Sequence, residues 1–289
     1  MIVSSFEQAK THLPSVNTAL LNSERLNDFF QRAQEWLTEH IIGDAIEQNL
    51  EAAPAQNEPD IHARLRLMAR RLISELGLRM AVPEMDLQLS EAGFVVQNNQ
   101  QFSPASQQRV DRLIATLDER MTWDCDAMVR YLVENSSPRT TYTGWRGTEQ
   151  YAYLTQAFTP SLEAAVRAGL KPLPGQNPIR WTEFIDMMPD IAQAIRNVAA
   201  PYVSEAEIDR LLELYRDNDT LSVHKRAIKH LAAVGVLEVS DQHSMAVRAA
   251  IHARKVMLAA PSYFTAFYES DAVELQKTSF GDGPSFNGL

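Results

Sequence analysis

Between Ser222 and Leu258 the chain concentrates Lys225, Arg226, Lys229, Arg248, Arg254 and Lys255, with His224, His230 and His252 nearby and only Glu238 and Asp241 to balance them. Such a basic cluster can meet an anionic surface, and Lys225, Arg226, Lys229, Arg254 and Lys255 are the candidate interaction residues. The plainer reading is a solvated helix face balanced by an acidic remainder. Elsewhere the spacing argues against catalysis. The histidines form no HExxH motif and no i, i+4 pair, and Asp124-Cys125-Asp126 lies in a helical pattern where i and i+2 point apart, so no metal site is expected. Glu205 with Glu207, and Asp217 with Asp219, stand at a helix start and in a turn, where capping accounts for them. There is no P-loop, no GxGxxG and no GxSxG. The expectation is a protein that is not an enzyme, with no catalytic residues, no cofactor and no small-molecule substrate.

A chain of 289 residues, 45% of them hydrophobic, has enough apolar side chains for one large or two ordinary cores. Its formal net charge of −10 argues against a general phosphate-binding surface, so no specific nucleic-acid binding is expected. The single cysteine, Cys125, excludes an internal disulfide and reads as a helix-packed thiol. The sequence has no long apolar run and no charged start followed by an apolar stretch, so neither membrane insertion nor secretion is expected. The expected location is the cytosol.

The elements that must position these residues are mostly helices, and the fold class expected is mainly α, with one hairpin. The central cassette runs from His62 to Glu134. Leu65, Met68, Ala69, Leu72, Ile73 and Leu76 recur at helical spacing through Met80, and Pro83 is expected to end that helix. A β-hairpin over about 86–97 follows, its tip at Ser90, Glu91, Ala92 and Gly93, where the glycine suits a tight turn. Ser103-Pro104 then opens a helix with the apolar face Val110, Leu113, Ile114, Leu117, Met121 and Met128.

Before the cassette, a short helix over 4–16 closes at Leu13-Pro14, and a longer one runs from Ser23 to about Leu50, with Gly43 a candidate break. After it, residues 148–169 read as helical with a break at Pro160, and Lys171–Pro178 is a proline-rich loop. Helices follow over Trp181–Ala200, from the capping box Ser204-Glu205-Ala206-Glu207, and from Ser222 to Gly235 as a C′ residue. Val236–Val239 reads as a short strand, and a last helix runs from Ser244 to Pro261.

These elements group into a helical module with the hairpin at 1–138, a linker with a short helix at 139–180, a second helical module at 181–268 and a flexible tail at 269–289. Loss of periodicity over 135–147 motivates the cut, and Trp145 beside it reads as packed on its own domain. The two modules also look like copies. Setting Ala33 against Ala194 brings Leu37 onto Val198 and Ile42 onto Val203, and Ala69 and Gly77 repeat the spacing of Ala227 and Gly235.

Three segments, Ala63 through Val96, Gln101 through Leu117 and Phe184 through Leu212, resemble an uncharacterised protein family carried by phages and prophages of anaerobic gut bacteria. The most specific part is the D-L-x-L-x-x-x-G-F-x-V hairpin followed by S-P-A-S-x-x-R-V-x-R-L. The resemblance implies a virion structural role near the head–tail junction, as a connector or adaptor subunit. Its implied partners are portal or tail components and further copies of itself in a ring. Its implied location is the bacterial cytoplasm during assembly and then the virion. It carries over no catalytic residues. The alternatives from the residues are a non-enzymatic binding or regulatory module encoded by a prophage, and an enzyme of unrecognised class.

Overall fold

The computed structural model describes residues 1–13, 23–52, 60–85, 88–90, 93–95, 107–136, 142–172, 178–217 and 219–273. The fold is mainly helical. Contacts divide the chain into two compact units, one comprising Met1–Tyr151 with Arg180–Thr182, the other Ala152–Ile179 with Glu183–Leu289.

In the first unit, α1 (Phe6–Lys10) is capped by Ser5, whose hydroxyl accepts from the Gln8 N–H. The long helix expected from Ser23 is α2 (Ser23–Leu37), a π-helical turn over Thr38–Ile42 and α3 (Asp44–Glu51), separated at Gly43, whose φ of 71° few other residues adopt readily. Helix α4 (Asp60–Met85) packs on both α2 and α5 (Gln107–Glu134). The apolar stripe Leu65, Ala69, Leu72, Ile73 and Leu76 is buried at these contacts. Pro83 does not end α4 but lies inside its last turn, where the missing N–H removes one terminal hydrogen bond rather than breaking a continuous ladder.

Between α4 and α5, β1 (Gln88–Ser90) and β2 (Gly93–Val95) pair antiparallel, Gln88 opposite Val95 and Ser90 opposite Gly93. This ladder is shorter than the hairpin expected over 86–97. The remaining positions, Glu91 and Ala92 of the tip included, lie outside the described residues, as do Pro14 and the Ser103-Pro104 cap.

The N-terminus is tied down by polar contacts. The Ile2 N–H donates to Gln34 Oε1 at 2.8 Å, and the terminal amine pairs with Glu51 at 2.9 Å. Residues 142–151, part of the linker and short helix expected over 139–180, belong to this unit. The Trp145 indole is fully buried and donates to the Ile41 carbonyl at 2.7 Å, while Tyr142 Oη lies 3.2 Å from the Ile61 carbonyl.

In the second unit, α9 (Met188–Val203), α11 (Ser222–Val239) and α12 (His243–Leu258) pack together as a bundle. Around them lie α7 (Leu162–Ala168), against α11, and α10 (Glu205–Arg216), against α9 and α13 (Thr265–Tyr268). Gly235 is not a C′ residue, and Val236–Val239 is not a strand: both belong to α11. A Cβ at Gly235 would stand 2.4 Å from the Ile191 carbonyl oxygen and 2.7 Å from Ile195 Cγ1, so glycine serves the crossing of α11 over α9. Gly77 plays a like part in α4, where a Cβ would stand 2.4 Å from Phe30 Cδ1 of α2.

Candidate functional site

The periodicity that makes α11 and α12 amphipathic also sorts their charges. On α11, Val223, Ala227, Leu231 and Val234 are buried, leaving Lys225, Arg226 and Lys229 exposed on the opposite side. On α12, Ala246, Ala250, Ala253 and Met257 are buried, and Arg248, His252 and Lys255 are exposed. The outer edges of the two helices meet where the His230 and His252 rings stack, with centroids 5.5 Å apart and planes inclined by 23°. Burial first, then His252 and Lys229, lower the pKa of His230 below that of an ordinary histidine. None of the side chains of Lys225, Arg226, Lys229, Arg248 and Lys255 has a hydrogen-bond or ion-pair partner among the described residues.

Arg254 does not belong with them. It is buried, donates to the Ala272 carbonyl at 2.9 Å, and lies over the Phe267 ring at 5.7 Å. Spacing explains the difference: Arg254 lies on the buried side of α12 with Ala250 and Met257, whereas Lys255 lies one residue further round the helix. Arg254 therefore fastens the last described segment to the bundle. Glu207 assists it. Its carboxylate is fully buried, accepts from the Phe267 N–H at 2.9 Å and pairs with Arg210 at 2.9 Å. Ser204 caps α10 through the Glu207 N–H, but the Glu207 side chain spans to α13 instead of completing a capping box. Neither role was visible from local spacing, because each partner lies far along the chain. The glutamate's unusual environment shows as a raised pKa, caused chiefly by burial and opposed by the Phe267 N–H and Arg210.

A further charged group, unmarked by any motif, lies on the α4–α5 seam. Glu75 has 2% of its side chain exposed and shares a hydrogen bond with Asp124, while Arg120 stands 3.6 Å from it and Arg71 lies 3.3 Å from Asp124. Burial and the neighbouring Asp124 carboxylate push Glu75 up to about 8, against which Arg120 and Arg71 act. At neutral pH Glu75 is therefore largely protonated, a neutral acid held in the α4–α5 seam beside the Asp124 carboxylate and the Arg120 and Arg71 guanidiniums. Cys125, next in sequence, is buried, and its thiol is pushed well above its ordinary range by burial first and then by Asp124, Asp126 and Glu75. That raises the cost of forming the nucleophilic thiolate. No group of three His, Cys, Asp or Glu side chains among the described residues converges to hold a metal ion.

Ser90 and Gly93, at the ends of the expected hairpin tip, close the β1–β2 ladder opposite one another. The structure thus places Lys225, Arg226, Lys229 and Lys255 on the exposed side of one helix pair and puts Arg254 inside it. No helix among the described residues is long and apolar enough to cross a membrane. No curated protein and no solved structure is significantly similar to the chain. Residues 18–155, which end a few residues past the division at Tyr151, match a protein-family model described as "Family of unknown function (DUF6712)".

Proposed function

We propose that this chain is a phage virion structural protein, a head–tail connector or adaptor subunit that works through contacts with other proteins. The observation that carries the reading is the exposed side of α11 and α12, where Lys225, Arg226, Lys229, Arg248 and Lys255 stand without ion-pair partners on a chain of net charge −10. Holding like charges together without internal partners costs stability, and an acidic protein surface would relieve that repulsion. Neighbouring portal or tail subunits are the partners this reading assigns. The resemblance of the α4–β1–β2–α5 segment to phage proteins supplies the setting. In the same reading the two units are diverged copies of one helical module, each with a glycine at a close helix crossing, Gly77 and Gly235.

The test is genetic. Deleting the gene from an inducible element that carries it should give filled or empty heads and free tails that do not join, as seen by negative-stain electron microscopy. Normal joined particles from the deletion strain would overturn the proposal.

A further inference from the structure

Past α12 the chain folds back over the bundle as Pro261–Tyr263, α13 and Asp271–Val273, short turns that pack on α12, α10 and α9 respectively. Two of its side chains, Phe264 and Phe267, are fully buried, and the His224 ring of α11 stands edge-on to Phe264 with centroids 5.5 Å apart. The bundle holds the rest of this segment by its main chain. The buried Glu207 carboxylate accepts from the Phe267 N–H, an amide that a helix start leaves without an internal partner and that Phe264, at the N-cap, has no side-chain oxygen to satisfy. The Tyr263 carbonyl accepts from Arg210 at 3.0 Å and from His224 Nε2 at 3.2 Å. The imidazole can donate there because its Nδ1 accepts from the Leu221 N–H. Arg254, lying over the Phe267 ring, donates to the Ala272 carbonyl.

Main-chain hydrogen bonds combined with pockets for spaced side chains are the means by which proteins bind peptides. We infer that the seat formed by α9, α10, α11 and α12 is a peptide-binding site, filled in cis by residues 263–272, which a partner peptide with two aromatic side chains three residues apart can take over. The segment seated there sets the ligand chemistry: aromatic rings at the positions of Phe264 and Phe267, an amide for Glu207, and a carbonyl for Arg210 and His224. Apolar packing alone would need the two phenylalanines but not the three buried side chains Glu207, His224 and Arg254, each costly to bury until a backbone group satisfies it. The tether to α12 is short, so the cis segment occupies the seat at an effective concentration on the order of 1 mM, with which a partner must compete. The inference does not depend on the connector reading, which uses the exposed cations of α11 and α12 instead.

The probe is a fluorescein-labelled synthetic peptide of residues 261–273, titrated into the full-length protein and followed by anisotropy. Phe267→Ala weakens the cis segment, so the peptide should bind this variant at least about tenfold tighter than the wild type, whose own segment competes. Two altered peptides report how it is held. N-methylation of the Phe267 amide removes the hydrogen that Glu207 accepts, and serine in place of both phenylalanines empties the pockets. Each change should weaken binding to the variant at least about tenfold. Circular dichroism checks that the variant keeps its helices. A folded variant that does not bind the peptide, or that binds either altered peptide as tightly, would overturn the inference. Should the variant unfold, amide hydrogen exchange of the wild type decides: residues 264–272 should exchange at least about tenfold faster than Leu231 and Val234 of α11, since the segment must leave while the bundle stays folded. Exchange at one common rate would make the segment an inseparable part of the core and overturn the proposal.

Discussion

The Ile191 carbonyl oxygen stands 2.4 Å from where a Cβ on Gly235 would lie, so these two residues fix how closely α11 crosses α9. Gly235→Ala must push the helices apart or tilt them, against the helix propensity alanine would otherwise gain. The expected outcome is a loss of about 1–3 kcal/mol in urea denaturation, the cost of overpacking a tight contact. A variant as stable as the wild type would show that the crossing adjusts freely.

Glycine at this position also shows where sequence reasoning falls short. In a sequence, a glycine after an apolar periodic run marks a helix end or a close approach of backbones equally well, and only the partner helix decides. The apolar stripes were legible because burial follows period: Leu65, Ala69, Leu72, Ile73 and Leu76 are buried as spacing implied, and so are Leu117, Met121 and Met128. Charge was legible only in part. Lys225, Arg226, Lys229 and Lys255 emerge together on the outside, but counting cations cannot separate Arg254, which differs only in helical phase. Glu75 with Asp124, and Glu207 with Phe267, are joined across long stretches of chain, so no local pattern marks them.

Arg254 and Lys225 should therefore respond differently to truncation. Arg254→Ala removes a buried donor from the Ala272 carbonyl and is expected to cost about 2–4 kcal/mol, whereas Lys225→Ala should change stability by less than about 0.5 kcal/mol. Thermal or urea denaturation measures both. Equal effects would mean that Arg254 does not hold the C-terminal segment.

Glu75 makes stability depend on pH. Its carboxyl takes a proton on folding, because its pKa rises from 4.5 in the unfolded chain to about 8 in the fold. The contribution is fully present below the unfolded value and is lost as pH rises through the folded value. Glu75→Gln keeps the shape and removes the ionisation. This variant should lose less stability than the wild type between pH about 5 and about 9, with a relative gain on the order of 1–3 kcal/mol at the upper end. Parallel melting-temperature profiles for the two proteins would contradict a Glu75 that is protonated in the fold at neutral pH.

Cys125 should resist alkylation. Its thiol is buried and carboxylates surround it, so iodoacetamide at neutral pH should leave the native protein unmodified and react once the chain is unfolded. Rapid native labelling, read by intact mass, would show that the α4–α5 seam opens readily.

The connector role is tested most directly in the particle itself. Mass spectrometry of purified virions, from a phage or an induced prophage that encodes the chain, should detect it alongside the portal and tail proteins. Preparations in which portal and tail proteins are abundant and this chain is never found would contradict the account.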